Sequence, residues 1–595
     1  MRVLVLIAGM VLALVPTVYA APVYGLVQDP TGALVPGADV ALIAQTEAAS
    51  QSSSTDEKGS FTFSDVAPGT YKVSVQRQGF ETAQQSIVVA QSTVELKFIL
   101  KLATQEISLD VDTARSSLAN NDPVYTALRS APVAESCVAE NIVLRRDAGT
   151  LTFRIGTLSF TAPIQGRHMT AVFVGEGNFH LESNVIFERQ SILLQTHKPD
   201  VTEPFNSAVL LFTDGTYGEL KTQCKGFTLD PHATQALRAF RQHMRHRTEN
   251  PRSTMEYLFA GDGIVNLDAE LLSNAYRAKP DARFAAYIHG TRHSDLRFLI
   301  DPHGAVPGLL SPEEVALVNV DPVGTQDGIW YMTHYQDEWT AGNASSDEDK
   351  RIFALNHFKI DTTLGRNDHL ASTAEVRVQA LRDGDRVMRF TLLANLRVSR
   401  VTMAGKDVPF IQEPRRSDAG FYVVLPEPTK EGAIYTLTME YEGNKVVHDE
   451  GGGSYSVGAR ESWYPGAGFS NDRASFDLTF RVPKGMTLVS IGKQTKAYRD
   501  QDLDVTEWSE PWPVSVAGFN YGFYKGKQVV DEPTKTTIEA WATRDVPDFL
   551  KGFAQNAAIS PASMAQSAMT DGQNALRIFT HWFGPLPFGR VALTQ

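Results

Sequence analysis

The sequence predicts a mainly β, multidomain protein: a small β-sandwich, a mostly β middle region with a few helices, a large β domain and a short helical stretch near residue 595. Three observations carry that reading. Apolar and polar residues alternate in short runs along most of the chain, the period of strands with one buried face. Turn residues interrupt the runs at regular intervals. At 595 residues the chain exceeds what one core organises, so roughly three to five domains are expected. Apolar content of 43% and charged content of 21% are those of a globular protein, and a net charge of -13 excludes a general nucleic-acid binder.

Residues 1–20 read as a signal peptide. Arg2 supplies the positive start, VLVLIAGMVLALV the apolar run, and Val18-Tyr19-Ala20 the small-x-small pattern that places cleavage before Ala21. The run is too short to anchor stably in a bilayer about 30 Å thick. The mature protein is therefore expected to be exported to the periplasm, cell envelope or extracellular space, and not to span a membrane. Cys137 and Cys224 are the only cysteines, and in an exported chain they are expected to form a disulfide. Two cysteines cannot by themselves build a four-ligand structural zinc site.

Residues 22–101 carry short alternating strands. Phe61 and Phe63 share one face, as do Tyr71, Val73 and Val75, while Gly32, Gly59, Pro68 and Gly69 mark reversals. The ordered set Gly25, Asp29, Gly32, Pro36-Gly37-Ala38, Thr55-Asp56, Gly59, Phe61, Phe63, Pro68-Gly69, Tyr71 and Gly79-Phe80 resembles the carboxypeptidase regulatory-like domain, a transthyretin-like sandwich. That resemblance implies a non-catalytic accessory module of envelope proteins. No cluster of exposed tryptophans marks it for sugar binding.

Residues 102–122 are polar and read as a linker. Residues 123–349 are mostly β with helices. Gly156, Gly175, Gly177 and Asp214-Gly215 are expected at hairpin turns. Asp230 caps a helix whose first turn holds Pro231 and whose apolar stripe is Leu237, Phe240 and Met244. Its basic side (Arg238, Arg241, Arg245, Arg247, His243 and His246) is expected to be a solvated face. In YIHGTRHSD, His289 and His293 stand four apart as in a zincin helix, but Gly290 replaces the glutamate and the context is a hairpin. No metal site is assigned to them or to His303. Residues 342–350 read as a surface boundary.

From Arg351 the strands lengthen, with Val376, Val378 and Ala380 alternating toward one face. The stretch ARESWYPGAGFSNDRASFDLTFRVPKGMTLVSIGK, residues 459–493, and WSEPWPVSVAGFNYGFYKG beyond it resemble the N-terminal saddle domain of zinc aminopeptidases of the aminopeptidase N type. The resemblance spans about residues 350–595. It implies a saddle over residues 350–530 and, over 531–595, the incomplete start of a thermolysin-like catalytic domain. Trp508, Trp512 and Phe519 are expected in the core of the closing sheet. Ser560-Pro561 begins a helix expected to turn Ala575, Leu576, Phe579, Trp582 and Phe583 inward. FGPLPFG then leads into RVALTQ.

In the resembled family, a substrate strand and an H-E-x-x-H zinc helix follow, and the chemistry needs a metal-bound water and a general base. No His-Glu dipeptide occurs in this chain. The resemblance also implies one saddle side chain that holds a substrate amine. Glu461 is the better-placed candidate, read more simply as a surface carboxylate beside Arg460. No catalytic, metal-binding or cofactor-binding residue is therefore assigned, and zinc belongs to the intact family rather than to this chain. The expected function is a truncated or split metallopeptidase, inactive alone, with peptides or a separate catalytic half as partners. The alternative is a non-catalytic envelope protein that binds peptides, glycans or a protein.

Overall fold

The computed structural model describes residues 20–100 and 122–594 except 30–33, 45–49, 78–79, 81, 91, 227–229, 247, 249–250, 261–264, 294, 307–308, 310, 321–325, 366–367, 416–419, 459–461, 468–471 and 544–560. The expected signal peptide, apart from Ala20, lies outside these residues. So do the linker apart from Asp122, and Gly32, Gly79, Arg247, Glu461 and Ser560. The fold is mainly β and multidomain, built from several sheets. The chain divides into two compact units, Met1–Val111 and Asp112–Gln595. No described helix is long and apolar enough to cross a membrane.

The first unit is a two-sheet sandwich. In one sheet Ala21–Gln28 lies between antiparallel Ser60–Val66 and parallel Val94–Ile99; the other has the order Ser50–Ser54, Asp39–Ala44, Gly69–Gln76, Ala83–Val89. Strand alternation puts Val23, Val27, Val40, Leu42, Phe61, Phe63, Val73 and Val75 into one core. Phe61 and Phe63 meet edge-to-face with centroids 6.0 Å apart.

The second unit begins with an eight-stranded antiparallel meander running in chain order from Val133–Arg146 to Gly328–Thr333. One face packs on itself around Phe153, Phe173, Phe179, Phe298 and Trp330. The other is covered by the helices Pro123–Ser130, Pro231–Met244 and Leu267–Tyr276. The Asp230 side chain accepts from the His232 N–H, as expected of a cap, and Leu237 and Met244 are buried. The opposite side of this helix is not simply solvated. Arg245 donates to Asp268 at 2.6 Å and Arg241 to the Leu128 carbonyl.

The glycines of the meander differ from expectation. Gly156 and Gly175 do not turn the chain; they face each other in mid-strand, within Gly149–Thr161 and Thr170–Leu181. A Cβ at either would stand 2.4 or 2.3 Å from the partner strand's carbonyl oxygen, and one at Gly177 would stand 2.3 Å from the Phe205 ring. Close backbone approach, not reversal, is what these positions require. Asp214-Gly215 also joins no hairpin. It opens the helix Thr216–Gln223, with Asp214 accepting from the Thr216 N–H.

An eight-stranded mixed sheet follows, in which Phe353–Leu364 runs parallel to Ala474–Pro483 and antiparallel to Leu370–Ala380. Val376, Val378 and Ala380 are buried on its inner face with Trp463, Phe480, Trp508 and Phe519. Trp512 departs from expectation at 55% exposed. It lies between Pro511 and Pro513 at the frayed end of Leu503–Val514, beyond the regular alternation. A separate three-stranded sheet, in the order Val387–Thr391, Gly420–Val424, Phe410–Ile411, meets the meander: its Val387, Ile411, Tyr422 and Val424 pack with the helices of the meander. Arg382 reinforces the join through Asp281 at 3.0 Å and Asp385 at 2.6 Å.

Candidate functional site

The last three strands form a small sheet in which Thr536–Thr543 pairs antiparallel with Tyr524–Asp531 and parallel with Arg590–Thr594. A parallel pair needs a crossover, and the helix Pro561–Phe583 supplies it. Ala565, Met569 and Leu576 recur along one side of this helix and bury against Ile538, Ala540 and Ala542. Gly572 lies on the same side, where a Cβ would rest 3.5 Å from Ile538 and Leu593. Arg577 donates through two nitrogens, at 2.6 and 2.9 Å, to Asp531, whose side chain is fully buried. The hydrogen bond from Arg577 holds the Asp531 carboxyl below its ordinary value.

The sequence reading placed Phe579, Trp582 and Phe583 inward with Ala575 and Leu576. Of these only Leu576 is fully buried. Phe579, Trp582 and Phe583 are 59, 74 and 83% exposed, and Ile578 and Leu586 are exposed as well. Phe579 and Phe583 continue the stripe of Met569 and Leu576 at helical spacing, 6.2 Å apart by ring centroid, but stand beyond the part of it that the small sheet buries. Ile578 and Trp582 point to the other side of the helix.

Next to this sheet lies a cleft of about 1550 Å³. Trp508, Trp512, Trp541, Glu510, Glu539 and Arg590 contribute to its wall. Arg590 is fully engaged: it pairs with both Glu539 oxygens at 2.9 Å and donates to the carbonyls of Ser490 and Gly492. Its guanidinium also sits 4.9 Å over Trp508. Burial alone would raise the Glu539 carboxyl, but the bonds from Arg590 and Trp541 bring it below the ordinary range. The wall, among the described residues, has no histidine or cysteine. Such a cleft offers aromatic surface and hydrogen bonds for binding.

The remaining candidates resolve separately. Cys137 and Cys224 form a disulfide that joins Val133–Arg146 to the end of the helix Thr216–Gln223. His289 and His293 stand at a hairpin with different partners: His289 faces Asp295 at 3.1 Å and His293 faces Glu203 at 2.6 Å. Gly290 is glycine because a Cβ there would strike the Glu203 carboxylate. His303 pairs with Asp281 at 3.2 Å.

One cluster escaped the sequence reading. Glu314, His334 and Glu338 bring their ligand atoms within 4.8 Å of one another, a set able to hold a metal ion. Glu314 precedes one strand, His334 follows the next, and Glu338 lies in the helix Gln336–Ala341. Burial and the Glu314 carboxylate raise Glu338 above its ordinary value. The sequence offered only His334 and Glu338 at i, i+4, a weak signal without the fold.

Residues 22–101 match the family model of the carboxypeptidase regulatory-like domain. No curated protein matches the chain in sequence. Among solved structures, the chain is similar to an M1 zinc metallopeptidase mutant from Deinococcus radiodurans bound to a Tyr-Ser-Ala substrate. That similarity has 19% identity and a TM-score of 0.34, covering 41% of this chain and 57% of that one. The M1 zinc metallopeptidase from the same organism without the mutation gives 19% identity and a TM-score of 0.33, covering 41% and 56%. The chain thus spans little more than half the length of the solved chains it matches.

Proposed function

We propose that residues 350–595 are the saddle and entry helix of an aminopeptidase N-type peptidase, a scaffold on which a zinc-bearing catalytic body packs. The uncovered aromatic end of the helix Pro561–Phe583 carries this reading. Two phenylalanines and a tryptophan in water over its last two turns are what a helix shows when that end packs on a separate body of apolar chemistry. A stand-alone binder would seal that end from within. The absence of any His-Glu dipeptide fits a chain that positions peptides but does not cut them. The sandwich of residues 22–101 acts as a non-catalytic accessory module. The leader pattern and the disulfide support export.

The test is capture of the tagged chain from its source cells, with identification of what comes with it. The reading expects an H-E-x-x-H-bearing peptidase body, with chelator-sensitive release of amino acids from aminoacyl anilides. Replacing Phe579, Trp582 and Phe583 by serine should abolish both. A self-association that the serine variant breaks, with no peptidase activity present, would overturn the reading.

A further inference from the structure

We propose that Glu314, His334 and Glu338 form a site for a divalent transition-metal ion of the zinc class, clamping one edge of the eight-stranded meander. The strand Gly328–Thr333 is that edge, with one neighbour in the sheet. His334 follows it directly and is 2% exposed, and Glu314 is fully buried. His334 Nδ1 stands 3.0 Å from Glu314 Oε2 and 3.7 Å from Glu338 Oε2. Ligand atoms around a tetrahedral zinc at about 2.0–2.1 Å are roughly 3.4 Å apart, so small rotations bring all three onto one ion.

Charge points the same way. Glu313, Glu314, Glu338 and Glu348 surround one imidazole and one ammonium, that of Lys350. Three negative charges are left over when the imidazole is neutral and two when it is protonated. Glu348 is exposed, but Glu314 is buried and Glu313 and Glu338 are largely so, and their excess over the nearby cations is costly unless an ion joins them. Lys350 does not block the site: it approaches Glu314 Oε1 at 2.6 Å, leaving Oε2 on the His334 side. The buried atoms Glu338 Oε2 and His334 Nε2 have no hydrogen-bond partner among the described residues. A metal gives Oε2 its partner. With Nδ1 on the metal, the proton sits on Nε2, which faces Glu313 Oε1 at 3.8 Å, and Ser346 donates to that oxygen at 2.8 Å. A carboxylate behind a ligating histidine is the usual outer support of such a site. The mixed imidazole and carboxylate set suits zinc or manganese better than calcium.

This inference is independent of the peptidase reading, since it lies in residues 313–350 and assigns the ion a structural role. The test is calorimetric titration of the chelator-stripped full chain with zinc chloride and, separately, manganese chloride, with a melting curve at each end point. One saturable site is expected, with a higher Tm in the loaded protein. Glu338→Gln, at the rim, should weaken binding at least tenfold, as should His334→Asn. A His289→Asn, His293→Asn double variant should bind as the parent does. No saturable uptake of either ion would overturn the proposal. So would uptake that Glu338→Gln and His334→Asn leave unchanged, or that the His289/His293 variant removes.

Discussion

At the scale of single residues, close approach and buried charge account for most of what is particular to this chain. Gly177→Ala would drive a methyl group into the Phe205 ring, and Gly156→Ala would drive one into the facing strand. Each is expected to destabilise by about 1–3 kcal/mol in urea unfolding. Asp531 gives a pH signature. Its pKa is depressed by Arg577, so its contribution is fully present above the ordinary carboxylate pKa. It is lost as pH falls through the depressed value. Hydrogen-exchange protection of the helix Pro561–Phe583, taken relative to the intrinsic rate at each pH, should fall on acidification over that range, and Asp531→Asn should remove this pH dependence. These glycines look like turn residues in sequence because glycine serves both reversal and close approach. Only the facing strand tells them apart. Glu314 was equally illegible, since nothing local marks a carboxylate whose partners arrive from residues 334, 338 and 350.

At the scale of elements, periodicity was a sound guide where one face is buried. The Asp230 cap, the Val376, Val378 and Ala380 alternation and the Phe61/Phe63 face all follow from local pattern. Asp230→Ala should cost about 1 kcal/mol, measured by thermal unfolding. Pattern fails where an apolar stripe runs past the element that covers it. The helix Pro561–Phe583 reads as inward-facing over Phe579, Trp582 and Phe583, yet the sheet beneath it reaches only Ala565, Met569 and Leu576. Those three aromatics contribute little to stability within the chain. The triple serine variant should therefore melt within a degree or two of the parent while losing capture of the separate peptidase body. A large drop in Tm would show that the aromatics are already covered.

At the scale of the molecule, the second unit is continuous. Helices of the meander pack on the three-stranded sheet of residues 387–424, and Arg382 ties residues 281 and 385 together. Sequence texture alone separates these regions at residue 350, because composition changes there while the contacts that join them are distant in sequence. The Cys137–Cys224 bond closes a separation of 87 residues. Replacing both cysteines by alanine should lower stability by about 4 kcal/mol on the chain-entropy model, read from chemical denaturation. The described residues include a sandwich, a cleft walled by tryptophans and an exposed aromatic helix end. In the function proposed above, residues 350–595 hold a separate catalytic body and the chain alone releases no amino acid. The most direct measurement is release of p-nitroaniline from alanyl and leucyl p-nitroanilides by the purified 595-residue chain loaded with zinc, with and without chelator. The account predicts no release above background in either condition. Steady turnover that the chelator stops, and that fresh zinc restores, would contradict it.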